Sequence, residues 1–393
     1  PLAAATVDTA LKRAFVNQLS GPAFNQLIQE ISGYATFYYQ GTLRQVRTRH
    51  YNQAAKNLAA EYMASKLAGY GYAVEFDTFL VNSVACRNVV ATKPGRTWPD
   101  EHVVVGGHYD SMPSGTTAPG AEDNASGTSL VMEIARVAAN RQFDRTVQFV
   151  LFDSEEQGLY GSEHFVTEAV AAGRTITNAI VADMVAWHDQ VFGLHIEGET
   201  DWEALMQAMA ANVGKYTPCS YVKDYYSWGS DHVPFQQAGI PAFLAIDYDY
   251  ESYPYYHQTG DTWLRIQQTA ALGLQITRAA AATLADAAGL WPDLTSVPPQ
   301  APPPSLLAAW PNPFNPRVTV AFHLDAPARG EVAMYDRAGR RVRTLAGGEL
   351  PAGETRLVWD GRDHRGRELP SGTYLCRLRA EGRTATLKLN LAR

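Results

Sequence analysis

Only three cysteines, Cys86, Cys219 and Cys376, occur in the 393 residues. That is too few for a disulfide framework, and their spacing matches no thiolate zinc finger. It leaves a Cys86–Cys219 bridge open. In Thr373–Arg379, alternation puts Tyr374, Cys376 and Leu378 on one face, so Cys376 is expected to be a buried core thiol. No apolar run approaches the roughly 18–20 residues that a membrane span needs. Basic excess is lacking too: 33 Lys and Arg stand against 40 Asp and Glu, a net charge of -7. From Ser305 onward there are 15 basic and 9 acidic residues, or +6, which leaves -13 for the rest. An acidic body does not suit nucleic acid, whose binding leans on basic phosphate contacts. Hydrophobic residues at 46% and charged residues at 19% describe an ordinary globular chain and exclude disorder or collagen. The sequence opens at Pro1 rather than Met, so a processed or truncated chain without its targeting segment is expected.

What is present is alternation. Residues 1 to about 75 read mostly as helix, with Ala54, Ala55, Leu58, Ala59, Tyr62, Met63 and Leu67 at helical spacing. His102–Gly106, Val147–Phe152, Ala179–Ala182 and Ala242–Ile246 read as strands. Ser126–Asn140, Leu159–Ala172 and Ile266–Ala288 read as helices. Strands alternating with helices predict an α/β layer fold, a mixed, largely parallel sheet flanked by helices, over 1–290. The segment 291–304, with Pro298-Pro299 and Pro302-Pro303-Pro304, reads as a Pro-rich linker. Over 305–393 the pattern changes to short alternating strands between Gly, Asp and Pro turns, which predicts a small all-β Ig-like sandwich.

Five segments place carboxylates and imidazoles just after predicted strands, where ligands bind in open α/β sheets. His108, in Gly106-Gly107-His108-Tyr109-Asp110-Ser111, can offer a ring nitrogen to a metal, and Asp110 can accept from the other nitrogen. Asp123, in Gly120-Ala121-Glu122-Asp123-Asn124, is either a helix cap or a carboxylate bridging two metals. Glu155 and Glu156 close a strongly apolar strand; one suits a metal and the other a proton. Asp183 ends Ile180-Val181-Ala182, a costly place for an unpaired charge. His257 is the second imidazole, with Asp261 as its expected hydrogen-bond acceptor. Asp231 and His232 either line the same rim or form a structural pair. Nitrogen and oxygen ligands without thiolate suit zinc above manganese or cobalt. Aromatics at Tyr225, Tyr226, Trp228 and Tyr248 to Tyr256 fit an apolar or aromatic pocket or plain core packing.

Taken in order, these strings, with Glu155-Glu156-Gln157-Gly158-Leu159-Tyr160-Gly161-Ser162, Ser230-Asp231-His232-Val233-Pro234-Phe235 and His257-Gln258-Thr259-Gly260-Asp261-Thr262, resemble the zinc-dependent bacterial leucyl-type aminopeptidases over about 50–288. Glutaminyl cyclases and glutamate carboxypeptidases are their relatives. The resemblance implies two zinc ions, one on His108 and Asp183, the other on Glu156 and His257, with Asp123 bridging. It implies Glu155 as general base and then acid, Tyr256 as an oxyanion donor, and Asp110 as the group orienting His108. Glu122 stands where relatives carry Asp or Asn. The expected substrates are peptides with a free N-terminus. Carboxypeptidase or cyclase chemistry is the nearest alternative, and a non-catalytic binding protein the next. Over 305–393, Trp310-Pro311-Asn312-Pro313-Phe314-Asn315-Pro316, Tyr335-Asp336-Arg337-Ala338-Gly339-Arg340 and Trp359-Asp360-Gly361-Arg362-Asp363 resemble the Ig-like domain of the flagellar hook-capping protein and secretion-sorting domains. This implies a secreted or cell-surface bacterial protein, with contact to secretion machinery or to a surface through that module.

Overall fold

The computed structural model describes residues 7–52, 55–112, 117–226, 229–292, 308–310, 314–324, 326–337, 339–380 and 383–391. They fall into two units, 1–293 and 294–393. Most of the expected proline-rich linker lies outside the described residues. Among the described residues, no helix is long and apolar enough to cross a membrane.

The first unit opens with helices α1 (Thr9–Val16) and α2 (Gly21–Ile31), a hairpin of β1 (Phe37–Tyr39) and β2 (Thr42–Arg44), and helix α3 (Lys56–Gly69). Then follow β3 (Ala73–Val81), β4 (Val84–Lys93), β5 (Trp98–His108), α4 (Ala125–Ala138), β6 (Arg145–Phe152), α5 (Tyr160–Ala171) and β7 (Thr175–Ala182). The unit continues with β8 (Gly193–Glu197), α6 (Glu203–Tyr216), β9 (Ser220–Asp224), α7 (Val233–Gln237), β10 (Ala242–Asp247), α8 (Trp263–Ile266) and α9 (Ala271–Ala288). Strands β3 to β10 form one eight-stranded mixed sheet, in the order β3-β4-β6-β5-β7-β10-β8-β9. The central run β6-β5-β7-β10 is parallel, and antiparallel pairs join β3, β4 and β8 around it.

The four strands read from the sequence are the central ones. Helices cover both faces there, so the strands are apolar along their length. Strands β3, β4, β8 and β9 were not foreseen because they lie toward the sheet edges, where polar residues interrupt the apolar run; β9 has three exposed residues in five. The helical reading of the first 75 residues is corrected by the β1–β2 hairpin and by β3. The closing helix is two helices, broken at 267–270. Helix α4 packs into the core, with 13 of its 14 residues buried, so its sequence lacks a polar face.

The second unit is all β. Strands β11 (Ala308–Trp310), β12 (Val318–Leu324) and β15 (Gly353–Trp359) form one antiparallel sheet. Strands β14 (Arg341–Leu350), β13 (Ala328–Tyr335), β16 (Gly372–Ala380) and β17 (Arg383–Leu391) form the other. Val318, Val320, Phe322 and Trp359 meet Val332, Met334, Tyr374, Cys376 and Leu389 in one core, as a two-sheet sandwich requires. Burial pushes the Cys376 thiol up to about 12. All three cysteines are free, which corrects the Cys86–Cys219 bridge. Cys86 is instead wedged between Lys56 Nζ at 3.3 Å and Ser154 Oγ at 3.1 Å.

Candidate active site

Strands β5, β6 and β7 end side by side, and each releases an acidic or imidazole residue at its carboxyl end: His108, Glu155 with Glu156, and Asp183. Asp123 arrives on the turn before α4. Asn124 caps that helix, its Oδ1 accepting from Gly127 N–H at 2.7 Å, and its Nδ2 donates to Ala182 O at 3.0 Å. A Cβ on Gly127 would lie 2.3 Å from the Ala182 carbonyl oxygen, so only glycine lets α4 seat this close to β7. His257 comes from the loop before α8. Ser154, Met184 and His257 all hold positive φ, a conformation that costs about 1–3 kcal/mol and clusters at functional sites.

Asp123 sits between the imidazoles. Its Oδ1 lies 3.5 Å from His108 Nε2, and its Oδ2 lies 3.3 Å from His257 Nε2. His108 Nε2 also faces Asp183 Oδ1 at 3.3 Å and Glu155 Oε2 at 3.8 Å. His257 Nε2 meets Glu156 Oε2 at 2.9 Å. His108 Nε2 and Asp183 Oδ1 are buried and make no hydrogen bond of sound geometry among the described residues. They point to a shared space rather than at each other.

Supporting contacts fix these side chains. His108 Nδ1 meets the backbone carbonyl of Asp110 at 3.2 Å, closer than the Asp110 carboxylate at 3.5 Å, and that carboxylate accepts from the Glu155 and Glu156 N–H groups at 3.1 and 3.4 Å, so Asp110 holds both β5 and β6 ends. Met112 N–H donates to Glu156 Oε1 at 2.8 Å, and Ser230 Oγ donates to Asp183 Oδ2 at 2.9 Å. Asp261 does not serve His257. Its carboxylate accepts from Glu122 and Asp123 N–H, both at 2.9 Å, and from the Tyr253 hydroxyl at 2.7 Å, so it positions Asp123. Glu122 is fully buried, and Oε1 accepts from Ala186 and Trp187 N–H, tying down the loop after Asp183. Asp231 and His232 are buried behind the site rather than lining it. Burial holds His232 down at about 3, so it stays neutral.

Sequence reasoning missed Arg49. It is fully buried, in a loop whose periodicity gives no signal, and its guanidinium donates to the carbonyls of Ile31, Tyr109, Pro119 and Gly120. Burial lowers its pKa to about 10, against the pull of Asp261, Asp110, Asp123 and Glu156. It is therefore still a cation at neutral pH beneath an acidic centre.

Without a further cation the centre must hold protons. Burial first, then Glu156, raises Asp123 to about 7. Burial acts to lower His257, but its bonds to Asp123 and Glu156 prevail and raise it to about 10. Two imidazoles and four carboxylates whose free atoms converge fit divalent cations, which replace those protons. The donors are nitrogen and oxygen only, the set suited to zinc.

The centre floors a cleft of about 480 Å³, with Tyr226, Tyr250 and Tyr256 on its walls beside Met184, Leu244 and Ile246. Tyr256 stacks on His257 with ring centroids 3.8 Å apart. Tyr253 is a core residue, and Trp228 lies outside the described residues. The wall also carries Glu197, Asp224 and Glu251, so the aromatic pocket read from the sequence is a mixed aromatic and acidic one.

Residues 88–282 match the model of peptidase family M28, and residues 315–383 match the FlgD Ig-like domain. A probable zinc metalloprotease of Leptosphaeria maculans is 28% identical over 63% of this chain and 67% of its own length. Aminopeptidase YwaD of Bacillus subtilis is 33% identical over 45% of this chain and 39% of its own length, so the chain spans well under half of that relative. The crystal structure of the LapA aminopeptidase of Legionella pneumophila superposes with a TM-score of 0.62 at 19% identity, covering 73% of this chain and 77% of that one, a likeness of fold. Within its first unit the chain is thus similar to peptidase family M28 over 88–282, and similarity to the FlgD Ig-like domain follows over 315–383.

Proposed function

We propose that this chain is a zinc-dependent aminopeptidase that removes the N-terminal residue of peptides. The observation that carries the reading is Asp123, whose two oxygens each face a different imidazole and so divide the donors into two adjoining sets. His108, Asp123 and Asp183 would hold one zinc ion, and Asp123, Glu156 and His257 the other. Such ions supply Lewis-acid polarisation and make a water easier to deprotonate. Glu155 lines the cleft beside His108 and Asp183, and this assignment of ligands leaves its carboxylate free for proton transfer. It takes a proton from the water that adds to the scissile carbonyl carbon, and returns it to the amine nitrogen as the C–N bond breaks. The Tyr256 phenol faces the same space. Burial, then Asp123 and Asp183, raises its pKa, which keeps it a hydrogen-bond donor toward the developing oxyanion.

An aminopeptidase is favoured over a carboxypeptidase by charge. None of the described residues lining the cleft is lysine or arginine, so a substrate carboxylate has no cationic grip, whereas a free α-amine meets carboxylates. A set of aminoacyl chromogenic amides with free and blocked amino groups, with and without chelator, tests this. Free amides should be cleaved and blocked ones spared, and chelator should abolish the activity until zinc is returned. Cleavage of blocked substrates alone rejects the reading. Asp123→Ala should also lower tightly bound zinc from two equivalents per chain to one or fewer, as measured by elemental analysis of the dialysed protein. Unchanged zinc content would remove Asp123 from the bridging position.

A further inference from the structure

The proposed chemistry uses one side of the cleft and leaves the other unexplained. Strands β10, β8 and β9 run side by side there, and their register sets Leu244, Glu197 and Asp224 in one row and Ile246, His195 and Val222 in the next. Residues in register across neighbouring strands share a face. Leu244, Ile246, Glu197 and Asp224 all line the cleft, and Glu251 joins them from the loop after β10.

This wall is short of a cation. Glu197 is only 5% exposed; the Tyr250 hydroxyl supports its carboxylate, yet Oε1 has no hydrogen-bond partner among the described residues. Oxygens of Glu197 and Asp224 and a ring nitrogen of His195 all lie within 4.8 Å of one another, a spacing at which two carboxylates repel. Lys223, the neighbouring cation on β9, is engaged with Glu203 and Gln207. His195 supplies no positive charge either, because burial lowers its pKa despite Asp224 and Glu251. Burial, with Asp224, Asp183 and Glu251 adding to it against the Tyr250 hydroxyl, pushes Glu197 up to about 7, so an arriving cation would favour its ionised form.

We infer that this wall is a specificity pocket for a cationic side chain, and that the preferred N-terminal residue is lysine or arginine. The inference rests on the aminopeptidase reading above and adds the substrate class. A long basic side chain fits both halves of the pocket. Its methylenes pack on Met184, Leu244 and Ile246, and its charged head reaches Glu197 and Asp224 beside the Tyr226 and Tyr250 rings.

The test uses the zinc-loaded full chain and the chromogenic amides of lysine, arginine, leucine and norleucine, the last being lysine without its ammonium group. Values of kcat/KM for lysine and arginine should exceed that for norleucine by at least about tenfold, and Glu197→Gln and Asp224→Asn should each lower the lysine-to-norleucine ratio by about tenfold. Norleucine or leucine matching lysine in the unaltered enzyme overturns the pocket while leaving the aminopeptidase reading intact, and this arm does not depend on any variant folding. An equal fall for all four amides in the variants also overturns it, since the acids would then hold the shared α-amine. So does loss of a bound metal equivalent with the ratio unmoved, because His195, Glu197 and Asp224 would then be a metal site. Failure to cleave any free-amine substrate sinks the aminopeptidase reading and this inference with it.

Discussion

Glu155→Gln is expected to lower kcat by about 10²–10⁴-fold, a loss of about 3–5 kcal/mol of transition-state stabilisation, with bound zinc unchanged. The substitution keeps size and shape and removes only the ability to take and return a proton. Glu155 suits that task because burial raises its pKa well above the ordinary carboxylate range; His108 opposes the rise, and Asp183, Asp231 and Glu156 add to it. A carboxylate whose pKa is raised is a better acceptor of a proton from water and can still return it to an amine. Of the three carboxylate oxygens that face His108 Nε2, Glu155 Oε2 is the farthest, at 3.8 Å against 3.3 Å for Asp183 and 3.5 Å for Asp123. The measurements are steady-state kinetics together with elemental analysis. Turnover within a few-fold of the unaltered enzyme would take the proton-transfer role from Glu155. Loss of zinc in the variant would make it a ligand instead.

The sequence makes the centre legible for a specific physical reason. A carboxylate or imidazole that ends a buried apolar strand is conspicuous, because burial of an unpaired charge is costly and the apolar run before it is plain to see. His108, Glu155, Glu156 and Asp183 all carry that mark, and the structure gathers them with Asp123 and His257 at one rim. The groups that hold them do not carry it. Arg49 lies in an irregular loop and acts on backbone carbonyls far along the chain. Glu122 is visible in the sequence, but its contacts with Ala186 and Trp187 are not. Nearness in sequence pairs Asp261 with His257, whereas its partners are the N–H groups of Glu122 and Asp123, well over a hundred residues away. The same rule explains the missing strands. Strands β8 and β9 lack the buried apolar run, and they are the ones that carry Glu197 and Asp224.

Arg49→Met is expected to reduce unfolding free energy by about 3–5 kcal/mol, because four buried backbone carbonyls lose a charged donor at once. The donor atoms Nε, Nη1 and Nη2 meet Tyr109 O at 2.6 Å, Ile31 O at 3.0 Å and Gly120 O at 2.8 Å, and Nη1 also meets Pro119 O. Methionine fills much of the volume but donates nothing, and each buried acceptor left unpaired costs about 1–3 kcal/mol before relaxation. The loss is not spread evenly. Tyr109 adjoins His108 and Asp110, Gly120 opens the turn that carries Asp123, and Ile31 ends α2, so one guanidinium staples α2 to two sides of the candidate centre. Arg49→Lys should recover only part of the stability, because an ammonium cannot reach four carbonyls spread around a planar fork. Urea unfolding of the zinc-loaded protein measures the difference. A loss below about 1 kcal/mol for Arg49→Met would mean that water or rearranged backbone satisfies those carbonyls, and that the centre holds its shape without a cation beneath it.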